Sequence, residues 1–150
     1  MSLKLSAESI ADQDHWFKPL EFSLPAGLIG FADIRRVELI YNPDELPFMW
    51  LRATDNHALN FIVVEPQGLV PGYTIEMSDD DAALLAIDQV ADTLLFNIVN
   101  LRAETPEATT VNLIGPIVVN RHTRVGRQIV ITNFLEYSAR HPLLAVAASR

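Results

Sequence analysis

The sequence predicts a mainly β protein, a small antiparallel β-barrel-like or sandwich domain with one short helix. Three observations lead there. Short segments rich in β-branched and aromatic residues recur along the chain, bounded by Pro, Gly, Asn and Asp. Only one segment has the composition and the cap of a helix. The connections are too short to hold the crossover helices that parallel strands require, so neighbouring strands should run antiparallel. With 150 residues, 49% hydrophobic and 20% charged, the chain can build one packed core. A single domain over residues 1–150 is expected.

The expected strands are Leu20 to Leu24, Arg35 to Tyr41, Phe48 to Thr54, Leu59 to Glu65, Tyr73 to Met77, Leu94 to Leu101, Thr110 to Asn120 with a break at Pro116, and Gln128 to Thr132. Stretches such as Val37 to Tyr41 and Phe96 to Asn100 alternate only partly, as in a sheet packed on one face and partly covered on the other. The helix is expected over Asp79 to Ile87. Ser78 is its N-cap, Asp81 stands three residues on to close a capping box, and the acidic first turn suits the positive end of the helix dipole. Ala82 to Ile87 then supply helix formers and an apolar face. Asn56-His57 and Gly126 mark hairpin turns; Pro25, Gly27, Gly30, Asn42-Pro43 and Pro71-Gly72 mark loops.

Charge narrows the function classes. Eleven basic against nineteen acidic residues give a formal charge of −8, the wrong sign for a protein that gains affinity by displacing counterions from a phosphate backbone. Direct nucleic-acid binding is disfavoured, and with it an oligonucleotide-binding barrel. Between residues 53 and 101 stand Asp55, Glu65, Glu76, Asp79, Asp80, Asp81, Asp88 and Asp92 with no Lys or Arg. Such a segment reads either as a solvated face or as a surface that steers a basic partner. The compensating charge lies late, in Arg121-His122-Thr123-Arg124 and Arg127, which should form a basic turn before Gln128. That tip is either a solvated hairpin or a contact for an acidic partner.

The chemistry of a cofactor enzyme is missing from the pattern. There is no cysteine, which removes disulfides, thiol catalysis and cysteine-held metal together. His15, His57, His122 and His141 are scattered without the spacing of a zinc site, and no metal or cofactor is expected. Asp79 to Asp81 do not begin a calcium loop, because Leu84 and Val90 occupy the positions that require glycine and glutamate. Gly27 and Gly30 do not open a phosphate cradle, and no Gly-x-Ser-x-Gly elbow occurs. A small enzyme using His57, His122 or His141 with a carboxylate in a barrel mouth remains the alternative class. No apolar run approaches the ~18 to 20 residues needed to cross a bilayer. Glu8, Asp12 and Asp14 interrupt the start of the chain where a secretory signal would be apolar, so the cytoplasm is expected.

Several runs resemble the bacterial flagellar assembly factor FliW family. These are Leu24-Pro25-Ala26-Gly27-Leu28-Ile29-Gly30-Phe31, Asn60-Phe61-Ile62-Val63-Val64-Glu65-Pro66, the acidic helix after Ser78, and Val111-Asn112-Leu113-Ile114-Gly115-Pro116-Ile117-Val118-Val119-Asn120. Gly126-Arg127-Gln128, Tyr137-Ser138 and Arg140-His141-Pro142-Leu143 follow in the same order. The resemblance covers about residues 20 to 143; residues 1 to 19 and the tail from Leu144 depart from it, and Gly115 stands where alanine is usual. It implies a non-catalytic β-barrel that binds flagellin and the translational regulator CsrA, whose repression of flagellin synthesis it relieves by partner exchange. Of the motif residues, Pro25, Gly27, Gly30, Gly115 and Pro116 read as turn and bulge formers, Phe31, Phe61, Ile117 and Val119 as core, and Asn120 as the cap of the basic turn. The expected partner-binding residues are Glu65, Glu76, Asp79, Asp80 and Asp81, from the acid segment.

Overall fold

A computed structural model of the protein describes residues 16–55 and 59–143. Among them nine strands form a single sheet: β1 (Phe17–Ser23), β2 (Arg36–Tyr41), β3 (Met49–Ala53), β4 (Asn60–Val64), β5 (Thr93–Asn100), β6 (Thr110–Val111), β7 (Ile117–Asn120), β8 (Val125–Gln128) and β9 (His141–Pro142). Among the described residues one α-helix, α1 (Asp79–Leu84), lies between β4 and β5. The first seven positions of the sheet run β4-β3-β2-β1-β8-β7-β5, and β5 pairs back onto β4, closing a barrel of seven strands. β6 and β9 extend the sheet beyond the far end of β5.

The barrel is antiparallel, as the short connections require, with one exception. β1 and β8 run parallel and share a single rung, Ser23 opposite Val125, where the Ser23 N–H donates to the Arg124 carbonyl at 3.0 Å. β1 therefore ends where β8 begins, and its run from Phe17 to Phe22 lies on the other side of that rung, toward one barrel mouth.

Period-two alternation fills the interior. Leu20 and Phe22 of β1, Val37 and Leu39 of β2, Met49 and Leu51 of β3, Val63 of β4, Phe96 of β5, and Ile117 and Val119 of β7 share one buried cluster. The Phe22 and Phe96 rings stack across it at 6.3 Å. Incomplete alternation has its cause outside the barrel. Val64, Val99 and Val111 face a second cluster with Phe48, Val70, Leu113 and Leu143. Val118 faces a third with Leu85, Ile129 and Ile131. The chain between β4 and β5 thus packs on the outer face, and all four residues of β7 are buried.

Five expectations need correction. Tyr73 to Met77 is extended but is not a strand, because side chains rather than a neighbouring strand satisfy its backbone. Asn133 accepts from the Glu76 N–H at 2.9 Å and donates to the Thr74 carbonyl at 2.8 Å, while the Tyr137 hydroxyl accepts from the Thr74 N–H at 2.9 Å. The strand expected over Gln128 to Thr132 begins earlier, at Val125. Beyond Gln128 the chain bonds to irregular segments rather than to a strand: Ile129 to the Pro116 carbonyl, Ile131 to that of Ile114 and Thr132 to that of Glu76. The helix stops at Leu84 rather than Ile87, since Ala86 turns left-handed at φ 55° and Ile87 N–H closes back on the Ala82 carbonyl at 2.9 Å. Gly126 lies inside β8 rather than in a turn; a Cβ there would come within 2.9 Å of Val119 and 3.3 Å of the Phe22 ring. Phe31 is 43% exposed, its ring edge-on to Phe61 at 5.3 Å instead of inside the barrel. The Asn56-His57 turn lies outside the described residues.

Other local readings hold. Pro116 does break the run from Thr110, leaving β6 and β7 on either side. Gly27 sits at φ 69°, and a Cβ there would overlap the Ala32 carbonyl at 2.5 Å.

Candidate interaction face

The acid segment folds into the cover on the outer barrel face. Ser78 starts α1 as expected, its hydroxyl accepting from the Asp81 N–H at 3.1 Å. Asp79 and Asp80 are left exposed on the first turn. Asp81 is turned inward, its carboxylate 3.6 Å from the Arg127 guanidinium on β8. Glu76 is exposed just before the helix, with its own backbone held by Asn133 and Thr132. Asp88 follows the helix, also exposed.

Next to these acids is an open groove of about 500 Å³ whose walls include Ile75, Met77, Ala82, Ile87, Val90 and Leu95, with Asp88 on its rim. Val90 is 88% exposed at its edge. An apolar floor beside a charged border is the layout of a protein interface, where the centre is desolvated and the rim stays wet.

The basic turn is built against the same cover. Asn120, 3% exposed, caps it as expected: its Oδ1 accepts from the His122 N–H at 2.9 Å and the Thr123 N–H at 3.2 Å. Its amide nitrogen also reaches across to the end of α1, donating to the Leu85 and Ala86 carbonyls at 2.9 and 3.2 Å. His122 lies 2.9 Å from the Asp92 carboxylate, and Arg121 donates to the Thr93 carbonyl at 3.1 Å. The acid segment, uninterrupted in sequence, is therefore partly met by the basic turn in space.

Of the five expected partner-binding residues, the structure places Glu76, Asp79 and Asp80 exposed along one stretch, with Asp81 behind them against Arg127. Glu65 is elsewhere, at the end of β4, lining one barrel mouth together with Arg121 and Arg124. The opposite mouth, about 420 Å³, is lined by Phe31, Asp33, Ile34, Asp55 and Leu59 among others. Among the described residues neither mouth is lined by a histidine. His141 belongs to β9 on the outer extension, and His15 and His57 lie outside the described residues. No group of three or more described His, Asp or Glu side chains is placed to hold a metal. Tyr73 was not singled out in the sequence as more than a strand residue, yet its hydroxyl donates to the Leu113 carbonyl at 2.6 Å and accepts from the Asn97 amide at 3.2 Å. Burial pushes that phenol above its ordinary pKa, the Asn97 hydrogen bond opposes the shift and Tyr137 adds to it. No helix among the described residues is long and apolar enough to cross a membrane.

Fold and face together define a class, a small closed β-barrel carrying an apolar groove beside exposed acids on its outer face. The family model described as FliW protein matches residues 7–143, reaching further toward the N-terminus than the motifs alone do. This chain belongs to the FliW family of flagellar assembly factors. It is 31% identical to the flagellar assembly factor FliW of Natranaerobius thermophilus over 81% of this chain and 80% of that protein. It is 34% identical to that of Geotalea uraniireducens over 85% and 76%, and 31% identical to that of Leptospira interrogans over 84% and 83%. A crystal structure of the flagellar assembly factor FliW superposes with a TM-score of 0.71 at 31% identity, covering 82% of this chain and 84% of that one.

Proposed function

We propose that this chain is a non-catalytic cytoplasmic regulator that binds flagellin and the translational regulator CsrA in exchange. Flagellin, once secreted, leaves the factor free to take CsrA and so relieves repression of flagellin synthesis. Family membership supports the flagellar setting. The observation that carries the partner reading is the exposed acidic stretch of Glu76, Asp79 and Asp80 beside an apolar groove, on a protein of net charge −8. A basic RNA-binding partner is attracted to such a face, and an acid patch brought beside its RNA site repels phosphate without having to occupy that site. Glu76, Asp79 and Asp80 are the leading contacts. Asp81 supports them through its carboxylate's pair with Arg127, and Glu65 contributes from the barrel mouth.

The test compares wild type with the combined Glu76→Lys, Asp79→Lys and Asp80→Lys variant by titration calorimetry against CsrA at two ionic strengths. Single exposed pairs are worth ~0.2–1 kcal/mol, so the triple reversal is needed for a clear signal. The variant should bind at least tenfold more weakly and lose most of the salt dependence, with circular dichroism reporting an intact fold. Unchanged affinity and salt slope in a folded variant make the acid stretch a solubility face.

A further inference from the structure

The parallel junction that closes the barrel leaves an opening beside it. β1 meets β8 only at Ser23, so the stretch from Phe17 to Phe22 has no strand neighbour on that side among the described residues. A cavity of about 590 Å³ lies at this mouth. The apolar part of its wall is continuous with the barrel core: Leu20, Leu39, Met49 and Phe96 belong to the buried interior cluster, and Tyr41 and Leu94 pack against it.

Two arginines of the basic turn line this apolar mouth, Arg121 and Arg124. Neither has a carboxylate within ion-pair distance among the described residues, whereas Arg127 and His122 on the same hairpin both do. The Arg121 guanidinium is held toward the mouth by its bond to the Thr93 carbonyl at 3.1 Å. Arg124 occupies a left-handed backbone position at φ 58°, the one place in the turn where glycine or asparagine is conformationally favoured. Its backbone is pinned there, its N–H donating to the Asn120 carbonyl at 2.8 Å and its carbonyl accepting from Ser23. On a chain of net charge −8, a mouth lined by two arginines that pair with no described carboxylate, against one glutamate, is a local reversal of sign. Glu65, the single acid among the described residues that line this mouth, forms no ion pair with either of them.

We infer that this seam is a binding site for an amphipathic monocarboxylate, a free aliphatic acid of medium chain length. The chain enters between β1 and the β7–β8 turn toward Leu20, Leu39 and Phe96, and the carboxylate rests on Arg121 and Arg124. The geometry supplies both parts of the recognition. Apolar walls take methylene groups out of water, and a guanidinium pair offers planar, charge-assisted donors to a carboxylate. Of the residues proposed for CsrA only Glu65 lines this mouth, and the titration below involves no CsrA, so the inference stands or falls independently of that reading.

The experiment is calorimetric titration of the full chain with octanoate, alongside octan-1-ol and octylammonium, which keep the chain and remove or reverse the charge. Octanoate should saturate one site with a dissociation constant below about 1 mM, and both controls should bind at least ~tenfold more weakly. The Arg121→Gln, Arg124→Gln double variant should lose at least ~tenfold in octanoate affinity, while Arg121→Lys, Arg124→Lys retains most of it. Both pairs of substitutions are at exposed side chains, and circular dichroism checks that each folds. Amide shifts in nuclear magnetic resonance spectra should cluster at Leu20, Tyr41, Leu94 and Arg124. No saturation by octanoate, equal binding of octan-1-ol, shifts centred on the opposite mouth at Phe31 and Ile34, or insensitivity to the glutamine variant each overturn the inference. So does tighter binding of N-acetyl-leucyl-leucine than of octanoate, which would make the seam a reader of polypeptide ends.

Discussion

Tyr73 shows how a single residue joins parts of the chain that the sequence keeps far apart. Its hydroxyl bridges the Leu113 carbonyl and the Asn97 amide, and its ring meets Tyr137 edge-on at 4.9 Å. Burial raises the phenol pKa, so the unfolded chain releases this proton at a lower pH than the native one does. The group's contribution to stability is therefore complete below the unfolded value of about 10 and declines as pH rises through the higher native value. Tyr73→Phe should cost about 1–2 kcal/mol at neutral pH, because the Leu113 carbonyl and Asn97 amide lose a buried partner. It should also flatten the alkaline loss of stability; urea unfolding of both proteins at about pH 7 and about pH 10.5 checks this. Wild type losing no more stability than the variant over that interval would contradict the assignment. At Gly115 a Cβ would meet the amide ends of Asn112 and Gln128, each at 3.3 Å, and the Ile129 carbonyl at 3.7 Å, so alanine would fit there with small side-chain shifts. Gly27 has no such latitude, since backbone blocks it.

Among the elements, α1 is the most dependent on its ends. Six residues are too few to be stable alone, so cap and packing decide its existence. Ser78 secures the start, Leu85 at 2% exposure packs into the outer cluster, and Asn120 of β7 takes the last carbonyls. The stop falls on Ala86, an exposed alanine at φ 55° where glycine is the natural occupant. Ala86→Gly should therefore raise stability by up to about 1 kcal/mol, measured as a higher urea midpoint with an unchanged slope. A lower midpoint would mean that the alanine methyl is held by contacts that outweigh the backbone strain. The helix start was legible because capping is a local signal carried by Ser78 and three aspartates. Its end was not, since Leu85, Ala86 and Ile87 are ordinary helix formers and were drawn out of the helix by the outer core.

At the scale of the whole molecule, β5 and β7 are pressed between two cores. Phe96 faces the barrel interior while Leu95 on the same strand packs on the outer cluster, so loss of either side is felt by both layers. Phe96→Ala should destabilise by about 3–5 kcal/mol in a single cooperative transition. Leu135→Ala, at a side chain 89% exposed, should stay within about 0.5 kcal/mol. Chemical denaturation followed by fluorescence and circular dichroism distinguishes the outcomes: non-coincident transitions for Phe96→Ala would show that inner and outer layers unfold separately.

Strand segments, the helix cap, the turn at Asn120 and the acid segment were all determined by the sequence itself, because β-alternation, capping chemistry and charge are properties of neighbouring residues. The tertiary structure decided what depends on distant ones. It closed the barrel through one parallel rung at Ser23 and Val125, and made Tyr73 to Met77 a side-chain-bonded edge instead of a strand. It separated Glu65 from the acids of α1 and turned Asp81 toward Arg127. No local pattern encodes these outcomes, since each follows from which surfaces the closed sheet leaves uncovered and which late-sequence groups, Arg121 to Asn133, fold back to meet them.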